Sequence, residues 1–209
     1  MDLKIKVCGM KYPANIKELA DLKPDFIGFI FYPPSKRFVG VDFQKQDIDH
    51  LQNEINRTAV FVNAHHHEIV EFANLYGIKT LQLHGTETPQ FCQELTDKGF
   101  TIIKAFGVDE NFNFESLNEY LDHVDFFLFD TKTIAHGGSG LTFDWQILKE
   151  YKLNKPFFIS GGLSPENLLT VLEIKNPNFF GVDLNSKFET EPGFKNIEKL
   201  KEAFELIRA

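Results

Sequence analysis

The chain has little cysteine and tryptophan, and it lacks long apolar runs. Its 209 residues include only two cysteines, Cys8 and Cys92, which cannot make the disulfide framework of a small secreted domain. No stretch approaches the roughly 20 apolar residues of a transmembrane helix. Residues 1–8 are too short and too charged for a signal peptide. We therefore expect a cytoplasmic protein with no membrane partner.

Motifs for resident metals and cofactors are also missing. There is no H-E-x-x-H, no paired C-x-x-C and no carboxylate cluster, and no G-x-G-x-x-G follows the first predicted strand. The run His65-His66-His67 is a poor chelating set, because consecutive helical residues point in different directions. It is better explained as the first turn of a helix. The sequence thus implies no metal and no cofactor.

Positive charge is in short supply. Lys and Arg number 22 against 30 Asp and Glu, which gives a net charge of −8 and a pI of about 5.4. This balance argues against nucleic acid and anionic membranes as partners. An anionic ligand would therefore be held locally, by backbone dipoles or a few cations. Phenylalanine is abundant, with 23 residues, and we interpret it as core filling.

Short apolar runs alternate with helical patterns along the chain. Eight runs are predicted to be buried strands: Ile5–Cys8, Phe26–Phe31, Thr58–Val62, Thr80–His84, Thr101–Phe106, Phe126–Asp130, Pro156–Ser160 and Phe179–Leu184. Strands that alternate with helices imply βαβ units and a parallel sheet. Eight units favour a (β/α)8 (TIM) barrel, an α/β fold, as one compact domain over residues 1–209. A doubly wound open sheet is the alternative.

Helix signals occupy the gaps between these strands. The clearest are the spacing of Ile16, Leu19 and Ala20, the start at Thr88-Pro89 with an end at Gly99, the start at Ser164-Pro165, and the stripe Leu200, Ala203, Phe204 and Ile207. Two shorter patterns predict helices at Ile48/Leu51/Ile55 and at Leu117/Tyr120/Leu121.

Polar and small residues follow the predicted strands. In a barrel, residues just past the carboxyl ends of the strands surround one mouth. The candidate site residues at these positions are Cys8, Arg37, His84, Asp130, Gly161, Gly162, Asp183, Asn185 and Ser186. The loops after strands seven and eight are where this fold commonly builds a phosphate cup from backbone N–H groups. The alternative is that Gly161 and Gly162 only ease a tight turn.

An acid and a glycine cluster follow the sixth strand. The apolar run at 126–129 stops at Asp130, and Gly137-Gly138-Ser139-Gly140 comes soon after. Glycines let backbone N–H groups approach an anion, so this segment suits a phosphosugar enzyme, with a surface turn as the alternative. Cys8 is either a catalytic thiol or a small buried hydrophobe. Cys92 lies inside a helical pattern, and we interpret it as structural.

Together these motifs resemble the phosphoribosylanthranilate isomerase family of tryptophan biosynthesis. The matching segments are K-I-K-V-C-G at 4–9, G-F-I-F-Y-P-P-S-K-R-F-V at 28–39, F-V-N at 61–63, L-Q-L-H-G at 81–85, F-D-T-K-T with G-G-S-G-L-T-F-D-W at 129–145, S-G-G-L-S-P-E-N at 160–167, G-V-D at 181–183 and E-x-x-P-G at 189–193. They occur in order over essentially the whole chain.

The resemblance implies an Amadori rearrangement of N-(5-phosphoribosyl)anthranilate to 1-(2-carboxyphenylamino)-1-deoxyribulose 5-phosphate, with no cofactor. It implies Asp130 as general acid and Cys8 as general base. The Arg37 guanidinium can pair in a fork with the anthranilate carboxylate, and a solvated Lys36-Arg37 pair is the alternative. The other candidate site residues would bind the substrate. The family usually continues Val-Asp with two serines and a glycine, whereas this chain has Leu184, Asn185, Ser186 and Lys187, which puts a lysine near the expected phosphate.

Three other functions are alternatives to this hypothesis. A histidine-pathway isomerase runs the same rearrangement with an acid in place of Cys8, and a phosphosugar epimerase barrel would need metal ligands. A non-catalytic phosphosugar-binding protein would not need both Cys8 and Asp130. The expected partner is therefore a small phosphosugar-anthranilate molecule. A monomer is preferred over a homodimer, because no outer helix stripe is unusually apolar.

Overall fold

A closed barrel of parallel strands forms the centre of the computed structural model, which describes residues 3–131 and 145–209. Eight strands of the described residues pair in chain order, and the eighth pairs with the first. They are β1 Lys4–Cys8, β2 Phe26–Ile30, β3 Asn56–Phe61, β4 Thr80–Leu83, β5 Thr101–Val108, β6 Phe126–Thr131, β7 Phe157–Ile159 and β8 Phe179–Leu184. The predicted (β/α)8 barrel is confirmed, and the open sheet is wrong.

Helices and 3₁₀ turns connect the strands. The α-helices are α1 Pro13–Asp21, α2 His66–Tyr76, α3 Pro89–Thr96, α4 Leu168–Leu172 and α5 Ile197–Arg208. The 3₁₀ segments are Lys45–Asp47, Phe114–Tyr120, Trp145–Glu150 and Ser186–Phe188. The predicted start of α3 is confirmed, because Thr88 Oγ1 accepts the Phe91 N–H at 3.2 Å. None of the described helices is both long and apolar enough to cross a membrane.

Two predicted helices are wrong, since the segments around Ile48 and Leu117 form 3₁₀ turns. Side chains cap the start of both segments, as they would cap an α-helix, so these caps do not explain the tighter 3₁₀ turns. Asp47 Oδ2 accepts the Gln44 N–H at 2.7 Å, and Asn113 Oδ1 accepts the Glu115 N–H at 2.9 Å. The apolar residues of both patterns nevertheless face the core: Ile48, Leu51 and Leu117 are buried.

The predicted helix start at Ser164-Pro165 is also wrong by one turn. The Ser164 N–H donates to Asn167 Oδ1 at 2.8 Å, which closes a local turn before the helix. Helix α4 therefore begins only at Leu168 and runs for five residues. By contrast, all four residues of the stripe predicted for the last helix are buried along α5.

Phenylalanines plug the barrel below its mouth. Rings of Phe26, Phe126, Phe158 and Phe180 contact one another, with Phe26 and Phe158 edge to face at a centroid distance of 5.3 Å. Such tilted aromatic contacts are favourable beyond the area they bury. The interpretation of phenylalanine as core filling is therefore confirmed here. The plug leaves the opposite, carboxyl end of the barrel for a ligand.

A hairpin that the sequence did not predict follows β8. Its antiparallel strands are β9 Glu189–Glu191 and β10 Phe194–Lys195, and Gly193 between them has a φ of +92°. That left-handed backbone explains the glycine in the turn. The hairpin brings Glu189 and Lys195 back to the barrel mouth. The glycine cluster at 137–140, which the sequence connected with anion binding, lies outside the described residues.

Candidate active site

One cavity of about 710 Å³ opens at the carboxyl ends of the strands. Its wall includes every candidate residue selected from the sequence: Cys8, Arg37, His84, Asp130, Gly161, Gly162, Asp183, Asn185 and Ser186. Residues from six strand ends and their loops thus converge although they are scattered along the chain. A polar cavity at this end of a barrel is where this fold places chemistry.

Cys8 ends β1 with its thiol inside the barrel mouth, and the residue is 3% exposed. Its neighbour on β2 is Gly28. A Cβ at position 28 would lie 2.7 Å from Cys8 Sγ and 3.2 Å from Lys6 Nζ, so glycine makes room for both groups. Burial raises the pKa of the Cys8 thiol above its ordinary value of 9.0, although Lys6 and Lys195 act to lower it. The ligand-free thiol is therefore mostly protonated at neutral pH.

Lys6 and Asp183 form a buried ion pair beside this thiol. The two residues are in register on β1 and β8, and Lys6 Nζ lies 3.0 Å from Asp183 Oδ1. Burial disfavours the charge on Lys6, but attraction to Asp183 and Cys8 outweighs it and holds the lysine pKa above 10.5. Burial also raises the pKa of Asp183, which favours a neutral acid. We take the pair as charged, because Lys6 attracts the carboxylate and the sulfur together.

Asp130 faces His84 across the mouth. His84 Nε2 lies 3.4 Å from Asp130 Oδ2, and Asp130 Oδ1 accepts the Thr131 backbone N–H at 2.8 Å. On the other side of the imidazole, Gln82 Nε2 lies 3.1 Å from His84 Nδ1. With the Gln82 amide donating, the proton of a neutral His84 sits on Nε2 and points at Asp130. The backbone and the imidazole thus orient the two carboxyl oxygens separately.

Arg37 is held by an acid from the hairpin. Its Nε donates to Glu189 Oε1 at 2.9 Å, and its Nη2 donates to Glu189 Oε2 at 2.7 Å. Lys195 Nζ donates to the same carboxylate at 2.6 Å and to Asn185 Oδ1 at 2.7 Å. Burial lowers the pKa of Lys195 to about 8, against the pull of Glu189. A bidentate pair fixes the plane of a guanidinium, so Arg37 enters the cavity in a set orientation.

Two glycines let the loop after β7 pass close to Asp130. Gly161 has a φ of +82° and Gly162 a φ of +65°, in the region that side chains rarely adopt. A Cβ at position 161 would overlap Thr131 Oγ1 and lie 2.6 Å from Asp130 Oδ1. Gly161 therefore does more than ease a turn, because a larger residue there would disturb the acid. Ser186 faces the same cavity from the loop after β8.

The three consecutive histidines lie away from these groups. His65 is the N-cap of α2, and His66 and His67 begin the helix, as the sequence predicted. Within residues 3–131 and 145–209, no three His, Cys, Asp or Glu side chains are close enough together to hold a metal ion.

Sequence reasoning missed four residues that support the site. Lys6, Gln82, Glu189 and Lys195 had no assigned role, although each contacts a candidate residue. Strand alternation was the signal for Lys6. Residues two apart on a strand face the same side of the sheet, so Lys6 faces the same side as Cys8. The motif E-x-x-P-G contained Glu189, but nothing in it indicated Arg37 as the partner.

The fold and the cavity define a (β/α)8-barrel enzyme with its site at the carboxyl ends of the strands. A family model for N-(5'-phosphoribosyl)anthranilate (PRA) isomerase matches residues 5–206. An N-(5'-phosphoribosyl)anthranilate isomerase from Parabacteroides distasonis is 47% identical over 204 residues, which cover 97% of this chain and 92% of the relative. The chain belongs to the PRA isomerase family.

Solved structures of isomerases agree with this assignment. The phosphoribosyl anthranilate isomerase of Thermotoga maritima is 31% identical, with a TM-score of 0.87 and 97% of each chain covered. Another, solved in complex with reduced 1-(o-carboxyphenylamino)-1-deoxyribulose 5-phosphate, is 28% identical, with a TM-score of 0.84 and the same 97% coverage of both chains. The chain is thus a TIM-barrel isomerase of tryptophan biosynthesis.

Proposed function

We propose that this chain catalyses the Amadori rearrangement of N-(5-phosphoribosyl)anthranilate, with Asp130 as general acid and Cys8 as general base. The observation that carries the proposal is that Cys8 on β1 and Asp130 on β6 line the same cavity. A carboxyl and a thiol in one site supply the proton donor and the proton acceptor that the reaction needs. The ligand of the solved relative has the carboxyphenylamino, sugar and phosphate groups of the proposed product.

The first step opens the ribose ring. Asp130 gives a proton to the ring oxygen, the bond from C1 to that oxygen breaks, and the nitrogen lone pair forms a C1–N double bond. This leaves a protonated Schiff base and an Asp130 carboxylate. His84 Nε2 lies 3.4 Å from Asp130 Oδ2 and stabilises the negative charge that develops there.

The second step moves a proton from C2. The Cys8 thiolate takes that proton, the C–H electron pair forms a C1–C2 double bond, and the C1–N pair returns to nitrogen. The resulting enolamine loses its C2 hydroxyl proton and gains one at C1, which gives the ketone. C2 is oxidised and C1 is reduced within one molecule, so the electrons balance without an outside partner.

The remaining candidate residues hold the two ends of the substrate. Arg37 binds the anthranilate carboxylate, because a guanidinium pairs well with a planar anion. Backbone N–H groups near Gly161, Gly162 and Ser186 bind the phosphate. His84, Asp183 and Asn185 complete the substrate-binding set between these ends. The single domain, the cytoplasmic location and the monomer stay predictions from the sequence.

Replacement of each proposed proton carrier tests this assignment. Purified Cys8→Ala and Asp130→Asn should lose turnover by at least ~10²–10⁴-fold, the usual contribution of such groups, while they keep their fold and their affinity for a product analogue. Neither gene should rescue a tryptophan auxotroph that lacks this isomerase. Cys92→Ala, which removes the other thiol from α3, is the control and should rescue it. Near-normal turnover in either variant would refute the role of that residue.

A further inference from the structure

An ammonium group lies beside the proposed base, inside the barrel. Lys6 precedes Cys8 by two residues on β1, so both side chains face the interior. Lys6 is 0% exposed. Its Nζ and Cys8 Sγ border the same space above Gly28, at 3.2 Å and 2.7 Å from the position of an added Cβ. The ammonium and the thiol are therefore near neighbours, since both lie within 3.2 Å of that one position.

Stability alone does not account for a lysine at this position. A buried ion pair usually contributes little, because desolvation of the two charges offsets their attraction. Apolar residues fill the barrel below the pair, as the ring of Phe26, Phe126 and Phe158 shows. The proton transfers described above also leave Lys6 without a role. An ammonium close to a thiol has one direct chemical effect, which is to favour the thiolate.

We propose that Lys6 is a positioning residue that stabilises the thiolate of Cys8, and that Asp183 holds the Lys6 ammonium in place. This inference rests on the proposed role of Cys8 as general base. The Lys6 Nζ donates a hydrogen bond to Asp183 Oδ1 at 3.0 Å, and it borders the same space above Gly28 as the sulfur. It stays protonated while Cys8 gains and loses the substrate proton.

Charged groups from three strands act on the thiol. Lys6 on β1 and Lys195 on β10 favour the thiolate, whereas Asp183 on β8 and burial oppose it. Lys195 is already engaged by Glu189 and Asn185. Lys6 has the larger effect of the two cations, and its Nζ borders the same space above Gly28 as the sulfur. Asp130 and His84 act on Asp183 in turn.

A charge-neutral double variant tests the inference without leaving an unpaired charge in the core. In a Cys92→Ala background Cys8 is the only thiol, and the carbon-13 shift of its Cβ reports its ionisation directly. Lys6→Met with Asp183→Asn should raise the thiol pKa, but by less than the roughly one to three units expected when an opposite charge alone is lost, because the loss of Asp183 acts in the other direction. Asp183→Asn alone, which keeps the lysine, should not raise it.

Another buried lysine pair, on β5 and the loop after β4, provides a matched control. Lys104 Nζ lies 3.1 Å from Glu87 Oε2, and these side chains are 1% and 2% exposed. Lys104→Met with Glu87→Gln removes the same charges from the barrel wall and should leave the Cys8 pKa unchanged. If both double variants shift it equally, the effect is a general loss of structure and the inference is wrong.

The kinetic readout separates this inference from the proposed function. In Lys6→Met/Asp183→Asn the pH at which kcat/KM rises should increase together with the thiol pKa. The position of this rise is the readout, and not the size of kcat/KM, because Asp183 also belongs to the proposed substrate-binding set. If Cys8→Ala is inactive but the double variant leaves the thiol pKa and this rise in place, Lys6 has no such role. If Cys8→Ala is active while the thiol pKa shifts, the role of Cys8 as base fails and the contact with Lys6 stands.

Discussion

Glu189 binds Arg37 from a hairpin that follows the last strand of the barrel. Two N–H···O bonds of 2.9 Å and 2.7 Å join these side chains, which are 152 positions apart in the chain. Arg37 is 12% exposed and Glu189 is 4% exposed, so the pair is shielded from most solvent. Lys195 donates to the same carboxylate and offsets its charge. The guanidinium is thus oriented before a substrate arrives.

We predict that Arg37 controls affinity for the anthranilate part of the substrate. Arg37→Ala should raise KM for the anthranilate adduct by an amount that corresponds to about 1.5–3 kcal/mol for a charged hydrogen bond. Arg37→Lys should recover only part of this, because a point charge replaces a planar fork. Inhibition constants for plain phosphosugars should barely change. An equal loss for those sugars would place Arg37 at the phosphate instead.

We predict that Glu189→Gln raises KM in the same direction but by less than Arg37→Ala. The amide keeps one acceptor for Arg37 but loses the charge and the second acceptor, so the guanidinium is held less firmly. Steady-state kinetics with Glu202→Gln, an exposed acid on α5, as the control should isolate this effect. A fall in KM would contradict the prediction, since it would mean that Glu189 competes with the substrate for Arg37.

We predict that kcat/KM rises with pH into the alkaline range. A general base must be deprotonated, and burial places the pKa of the Cys8 thiol above 9.0. The active thiolate fraction therefore grows as pH increases toward that value, and it is small at neutral pH. A pH profile of kcat/KM for the native chain and for Cys92→Ala should show the same rise. A rise that is complete below pH 7 would exclude this thiol as the base.

We predict a loss of turnover for one glycine substitution and a loss of stability for another. Gly28→Ala places a methyl group 2.7 Å from Cys8 Sγ, so turnover should fall by up to about a hundredfold through displacement of the thiol. Gly99→Ala meets no atom within 4 Å but has a φ of +83°, so it should cost about 1–2 kcal/mol of stability and leave kinetics unchanged. Assays and denaturant melts of both variants check this. Normal turnover in Gly28→Ala would show that the thiol position is not critical.

We predict that an anion binds at the loops after β7 and β8. Crystals soaked in sulfate or a product analogue should show the anion on backbone N–H groups near Gly161, Gly162 and Ser186. Lys187 on the same loop adds a nearby cation and should strengthen binding at low salt. Density at His65–His67, or at the amino-terminal end of the barrel, would contradict the assignment of the phosphate end.

Local patterns in the sequence were sufficient for most of the barrel. All eight strands appeared as short apolar runs, because strands buried on both faces need no alternation. The helix predictions at Ile48 and Leu117 failed, because a short 3₁₀ segment can bury side chains that are three residues apart just as an α-helix does. The hairpin that carries Glu189 was missed, because its strands have only three and two residues.

The candidate site was also predictable only in part from the sequence. The sequence by itself determined which groups follow the strands, and hence that Cys8, Asp130 and Arg37 meet at one mouth. Only the tertiary structure decided which charged partners orient these groups and in which direction their pKa values move. Lys6 reaches Asp183 across 177 positions, and Arg37 reaches Glu189 across 152. Burial and charge pairing arise when the barrel closes, so neither these partners nor the raised thiol pKa follows from residues adjacent in the chain.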